Sequence, residues 1–240
     1  MMNPVLARSG LLIAALVGVL GVAHGEDAAE ASPETFGRTP APVMSHLGAA
    51  WLERPTRDEE ERPDIVIAAM NLENGDVVAD IGVGSGYFAR KIAPEIAPDG
   101  KVLGVDIQPE MLDILVGLAI EEGIANIEPV LGTVDDPNIP DGVADWVLLV
   151  DTYHEFAEPQ AMLAKIRKAL KPDGKVCLVE YRLHGDTAAH IKENHRMSVE
   201  QVLAEWEPAG FVLDERIEEL PSQHLFIFSL GEKPAKAGEE

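Results

Sequence analysis

A single cysteine, Cys177, in 240 residues excludes an internal disulfide and a cysteine-built zinc centre. It lies inside an apolar run and reads as a small buried hydrophobe. Bases are scarce as well: 19 lysines and arginines stand against 42 acidic residues, a formal net charge of -23. So acidic a surface repels phosphate and excludes nucleic acid as a partner. No acid–histidine zinc motif is present. His184, His190 and His195 are spaced six and five apart, which does not put all three on one helical face, so no metal site is expected. Internal repeats are absent. The apolar run Leu11 to Ala23 is short for a helix that spans a bilayer.

That run fits a secretory signal peptide over residues 1–25. Arg8 precedes it, Ala23-His24-Gly25 offers small residues at cleavage spacing, and acids follow from Glu26. No cysteine at the cleavage region supports a lipoprotein signal. The expected protein is exported and periplasmic, or membrane-anchored if the segment stays uncleaved. Residues 26–63 read as a flexible N-terminal segment, rich at first in Ala, Glu and Pro. It ends in the charged stretch Trp51 to Pro63, a candidate lid or short helix. Most side chains there read as a solvated face. Trp51, Arg54 and Arg62 are the exceptions, able to cover a cleft or pair with carboxylates. Residues 232–240 read as a disordered tail.

Between these ends, at 46% hydrophobic residues over the whole chain, there is length for one domain with a sizeable core. Strand and helix patterns alternate. Ile65, Ala69 and Leu72 share a helical face that Asn74-Gly75 closes. Strands are expected at Val77–Ile81, Lys101–Asp106, Glu128–Leu131, Ala144–Asp151, Lys175–Tyr181, Phe211–Ile217 and Leu225–Leu230. Helices are expected over Tyr87–Ile96, around Met111, Leu115 and Leu118, over Pro159–Leu170, and from a capping box at Ser198-Val199-Glu200-Gln201 to near Gly210. The link Leu220-Pro221-Ser222 is too short for a crossover helix, so the last two strands must be antiparallel neighbours. The rest predicts a parallel α/β sheet.

The richest stretch is Val77-Val78-Ala79-Asp80-Ile81-Gly82-Val83-Gly84-Ser85-Gly86-Tyr87. An apolar strand ends in an acid, three glycines follow at alternate positions, and a helix begins. Glycines let the backbone turn sharply and approach a ligand, and the helix start offers unpaired N–H groups. Dinucleotide sites space their glycines as G-x-G-x-x-G around a pyrophosphate. Here the spacing is G-x-G-x-G, and an ionised Asp80 would repel a pyrophosphate but suit an amino group or a sulfonium. The segment resembles motif I of class I S-adenosylmethionine-dependent methyltransferases, and the strand pattern extends the resemblance over residues 64–231. It implies a Rossmann-like seven-stranded, mostly parallel sheet with helices on both faces and a C-terminal antiparallel hairpin. It also implies S-adenosylmethionine as cofactor and a small-molecule methyl acceptor.

Ligands of open α/β sheets bind at the carboxyl ends of the strands. The resemblance makes Asp80, Gly82, Gly84 and Gly86 the methionyl loop. Asp106, 20 residues after Gly86 and followed by Ile107, becomes the ribose acid. Gly132-Thr133-Val134-Asp135-Asp136-Pro137 becomes the adenine loop. Thr133 stands where many relatives carry an acid, which leaves the adenine role split between Asp135 and Asp136. Strand four ends in Asp151-Thr152-Tyr153-His154-Glu155-Phe156, the catalytic candidate. There His154 could take a proton, Asp151 could orient it or face the sulfonium, and Glu155 adjoins both. Glu180 either bounds the substrate pocket or pairs with Arg182. A non-enzymatic nucleotide-binding protein on the same fold stays open beside the methyltransferase, and a nicotinamide-dependent oxidoreductase is third.

Overall fold

A computed structural model describes residues 37–231. The expected signal peptide, the start of the flexible segment and the expected tail lie outside the described residues. Seven strands form one sheet: β1 Val77–Ile81, β2 Lys101–Asp106, β3 Ile127–Leu131, β4 Ala144–Val150, β5 Leu170–Tyr181, β6 Phe211–Ile217 and β7 Gln223–Leu230. Their order is β3-β2-β1-β4-β5-β7-β6. Strands β3 to β5 pair in parallel, while β7 runs antiparallel to both β5 and β6. The order reverses between β1 and β4, and a crevice opens at such a switch point.

Alternation along each strand explains the two layers of helices. From β1, Ala79 and Ile81 face one core together with Leu163 and Ile166 of α6 (Pro159–Ala169) and Val202 and Trp206 of α7 (Val199–Trp206). Val78 faces the other core, with Val66 and Met70 of α3 (Pro63–Met70), Phe88 and Ile92 of α4 (Tyr87–Ile92), and Leu112 and Leu115 of α5 (Pro109–Glu121). Central β4 is apolar because both its faces are covered: Val147, Leu148 and Leu149 are fully buried. Cys177 is buried in the second core. Among the described residues no helix is long and apolar enough to cross a membrane.

Several boundaries differ from the sequence expectation for local reasons. The inward residues of α3 are Val66 and Met70, while Ile65, Ala69 and Leu72 flank them half-buried. Asn71, at φ 45°, rather than Gly75, supplies the left-handed stop. Helix α4 ends at Ile92, well before Ile96, because Pro94 has no N–H to continue it. β5 begins at Leu170, paired with Ala144, before a register irregularity re-sets it at Lys175. The Ser198 cap is as expected, its side chain accepting the Gln201 N–H at 3.1 Å.

Trp206 anchors the first core, stacked on Phe228 at 4.8 Å with edge or tilted contacts to Tyr153 and Phe211. Trp206→Ala should lower stability by about 3–5 kcal/mol, read from urea unfolding, since the void left there has rigid aromatic walls.

Candidate active site

The carboxyl ends of β1, β2, β4 and β5 open onto a cavity of about 580 Å³, the size of an ordinary small-molecule site. Its floor is the turn after β1. Gly82 and Val83 both donate to the Val105 carbonyl at 2.9 Å, which folds the loop over the end of β2. A Cβ on Gly84 would lie 2.7 Å from the Leu52 side chain, and one on Gly82 would collide with Thr152, so both backbones stay bare. Asp106 is fixed by two backbone donors, Gly84 N–H at 3.0 Å and Gln108 N–H at 2.9 Å, one on each carboxylate oxygen. Each oxygen keeps a further lone pair for a ligand.

The roof is the segment before the sheet. It includes α1 (Ala49–Leu52) and α2 (Arg57–Glu61), and it lines the cavity with Pro42, Met44, Trp51, Leu52, Arg57 and Glu61. Backbone contacts tie it down: Met44 N–H donates to Glu155 at 3.1 Å, and Gln108 bonds both Met44 and His46. Glu53 bridges the roof to the floor, accepting from the Ser85 hydroxyl at 2.6 Å and pairing with Arg90. Arg57 pairs with Glu61 at 2.9 Å and packs over the Tyr87 ring, while Arg54 pairs with Glu60 and Glu61 and covers Trp51. Most side chains of the charged stretch are exposed, as expected, and its buried and half-buried members build the roof. Of its three expected exceptions, Trp51 and Arg54 take part, but Arg62 is exposed and pairs with Asp64. Arg57 and Glu61, four apart and buried, are the residues that the sequence reading passed over.

At the far end, Asp151 takes a left-handed φ of 50° directly after β4. Gln223 donates to one of its carboxylate oxygens at 3.1 Å. The other oxygen is buried without a partner. His154 is buried with Nδ1 2.6 Å from Glu180. So Glu180 is the partner of His154 and does not pair with Arg182, which bonds Glu218 instead. Tyr153 turns away into the core and donates to Glu205 at 2.7 Å. Met197 N–H bonds the Tyr181 carbonyl at the end of β5, and the loop that Met197 closes brings His195 to within 5.1 Å of the His154 ring.

The cavity thus brings together Asp80, Gly82, Gly84, Asp106, Ile107, Thr133, Asp151, His154 and Glu155 among the residues singled out in the sequence. Gly86 is off the wall, capping α4 against Leu115. Asp135 and Asp136 are off it too: Asp135 accepts from the Thr133 hydroxyl, and Asp136 pairs with Lys165. This is turn chemistry on an exposed loop. Arg57 and Glu61 left one signal in the sequence, opposite charges one helical turn apart, which marks them as a pair but not as buried.

Burial sets the electrostatics. It pushes the Asp80 carboxyl up to about 7, with Arg57 pulling the other way. It pushes Glu155 to about 7 against the pull of His154. Asp151 is held well above the ordinary carboxylate range by burial and by Glu61 and Glu180. For His154 burial opposes the charged form, but the Glu180 carboxylate outweighs it and raises the imidazole. Acids outnumber lysine and arginine along the cavity wall.

A family model described as a methyltransferase domain matches residues 72–220. The chain is 27% identical over 137 residues to an uncharacterized methyltransferase of Bacillus subtilis (strain 168), covering 54% of this chain and 53% of the relative. It is 31% identical over 116 residues to a demethylmenaquinone methyltransferase of Symbiobacterium thermophilum, covering 47% and 45%. The chain thus spans about half the length of these curated relatives. Among solved structures, a SAM dependent methyltransferase from Aquifex aeolicus superposes with a TM-score of 0.73 at 22% identity, over 77% of this chain and 98% of that one. That likeness is one of fold.

Asp80 sits about 7 in the folded chain against an ordinary 3.8. Folding therefore favours its protonated form. The stability it confers is full below the ordinary value and is lost as pH rises through about 7. The unfolding temperature of the ligand-free protein should fall by several degrees between pH 5 and about 8. Asp80→Asn should flatten that fall, as differential scanning calorimetry would read.

Proposed function

This chain belongs to the class I S-adenosylmethionine-dependent methyltransferase family, and from that premise we propose that it methylates a small-molecule acceptor held beneath the roof segment. The observation that carries the reading is Asp106. Its carboxylate is pinned by the Gly84 and Gln108 amides at the switch point with lone pairs to spare, as a ribose site requires.

Three features support the fit of the cofactor. Bare backbone at Gly82 and Gly84 leaves room for close approach. Asp80, forced toward neutrality by burial, gains from a cation placed beside it. Asp151, which lines the same cavity, carries a buried oxygen without a partner. The bare turn and Asp80 would hold the methionyl end, Asp106 the ribose hydroxyls, and Ile107 and Thr133 the adenine side. S-adenosylmethionine supplies a methyl group on a sulfonium already reactive enough to be displaced. The chain's own task is then to align the acceptor, exclude water and deal with the acceptor's proton. The roof residues Met44, Trp51 and Leu52 exclude water, and His154 and Glu155 at the far end are placed to activate the acceptor.

Asp106→Ala should weaken S-adenosylmethionine by roughly 1.5–3 kcal/mol, as for hydrogen bonds to a charged group. Gly84→Val should abolish binding by filling the approach. Calorimetry that finds wild-type affinity in both variants would reject the site.

His154→Ala should lower turnover by a factor on the order of 10²–10⁴ with little change in cofactor affinity. The assay first needs an acceptor, found by screening phenols, thiols, amines and carboxylates with labelled donor. Full turnover in the variant would remove His154 from the chemistry.

A further inference from the structure

Next to the acceptor end stands a group of side chains that methyl transfer by alignment alone does not need. His154, Glu155 and His195 each offer a ligand atom, and these atoms lie within 4.8 Å of one another. All three line the cavity. The hydrogen bonds around them are arranged in a particular way. The Nδ1 atom of His154 is 2.6 Å from the Glu180 carboxylate, and Nδ1 of His195 is 2.8 Å from the Asn194 side-chain oxygen. Both acceptors hold a proton on Nδ1 and leave the lone pair on Nε2. This is how proteins prepare histidines as metal ligands, the carboxylate behind the ring fixing its tautomer and orientation. Glu155 accepts the Met44 N–H on one oxygen, which fixes its carboxylate while the other oxygen stays available.

The scaffold holding the group is rigid on two sides. His154 and Glu155 share the short 3-10 turn after β4. His195 ends another, Glu193–His195, anchored by Met197, whose N–H donates to the Tyr181 carbonyl and whose carbonyl accepts from Leu183. The sequence spacing that argued against a metal compared His195 with His184 and His190. The fold instead sets it against a histidine and a glutamate 41 and 40 residues upstream.

From this juxtaposition we infer that His154, Glu155 and His195 form a site for a divalent transition-metal ion of the zinc type, open to the cavity on its remaining side. Two imidazoles and one carboxylate are the ligand set of open zinc sites, with ligand atoms about 2.0–2.2 Å from the ion. The three ligand atoms must draw in from 4.8 Å to share one ion. Imidazole ligands disfavour magnesium and calcium, which take oxygen. The inference deepens the methyltransferase reading and rests on it for its purpose. A hydroxyl or thiol of the acceptor entering the open position would pass its proton to solvent as it binds, near neutral pH, because the cation lowers its pKa. The resulting anion forms the new bond to the methyl carbon as the sulfur–methyl bond breaks, its electron pair returning to sulfur.

The test is a calorimetric titration of the chelator-stripped, full-length protein with zinc chloride, alongside S-adenosylmethionine titrated into the same preparations. One tight equivalent of zinc is expected, undisturbed by excess magnesium. Glu155→Gln and His195→Ala should each weaken it at least 10-fold, and Glu180→Gln, whose hydrogen bonds go to His154, by about 10–100-fold. S-adenosylmethionine affinity should stay unchanged in all three variants, which also verifies that they fold. Absence of a zinc site would overturn the inference. So would zinc binding that survives Glu155→Gln and His195→Ala, or that magnesium displaces. If zinc fails while S-adenosylmethionine binds, only the metal site falls. If zinc binds as stated while S-adenosylmethionine does not, the metal site stands and the cofactor reading falls.

Discussion

Buried carboxylates at one edge of the sheet are the constraint on which this molecule turns. Asp80, Asp106, Asp151 and Glu180 close four adjacent parallel strands, and Glu61 reaches in from the roof. Each was carried out of water by the same event, the packing of helices against both faces of an apolar sheet. Burying a charge is costly unless it is paired. The chain responds in three ways: backbone N–H groups aimed at Asp106, guanidinium groups brought over by the roof, and carboxyls pushed toward neutrality. Even so, acids outnumber lysine and arginine along the cavity wall.

The roof follows from that deficit. Arg57 lies on a short helix that would be marginal alone, yet it offsets both Asp80 and Asp151 across the cavity. Its pairing with Glu61 and packing on Tyr87 hold it there. Glu53, bridging Ser85 and Arg90, couples the roof to the loop after β1. A ligand entering between floor and roof therefore meets groups from both, and roof and cavity floor share one electrostatic balance.

The fold was legible because its signals are local. The limits of β1 and β2 read directly from apolar runs bounded by charges and glycines, and the hairpin from a link too short for a helix. Where boundaries moved, a single residue moved them, as Pro94 did for α4 and Asn71 for α3. The site was half legible. Glycines and strand-end acids announce themselves because each serves a backbone or a strand terminus. The pairing of His154 with Glu180, the approach of His195 and the burial of Arg57 and Glu61 depend on how distant loops fold back over the sheet edge. Spacing along the chain carries no trace of that. Asp135 and Asp136 illustrate the converse, acids with the right neighbours in sequence that turn geometry points elsewhere.

The central claim is that one cavity orders donor and acceptor along the carboxyl edge, with Asp106 at the donor end and His154 at the acceptor end. A crystal structure with S-adenosylhomocysteine tests it most directly. The account predicts ribose hydroxyls within hydrogen-bond distance of Asp106 and the sulfur turned toward Asp151 and His154, with Met44 and Trp51 closing over it. A nucleoside bound at the His154 end, or bound outside the cavity altogether, would contradict it.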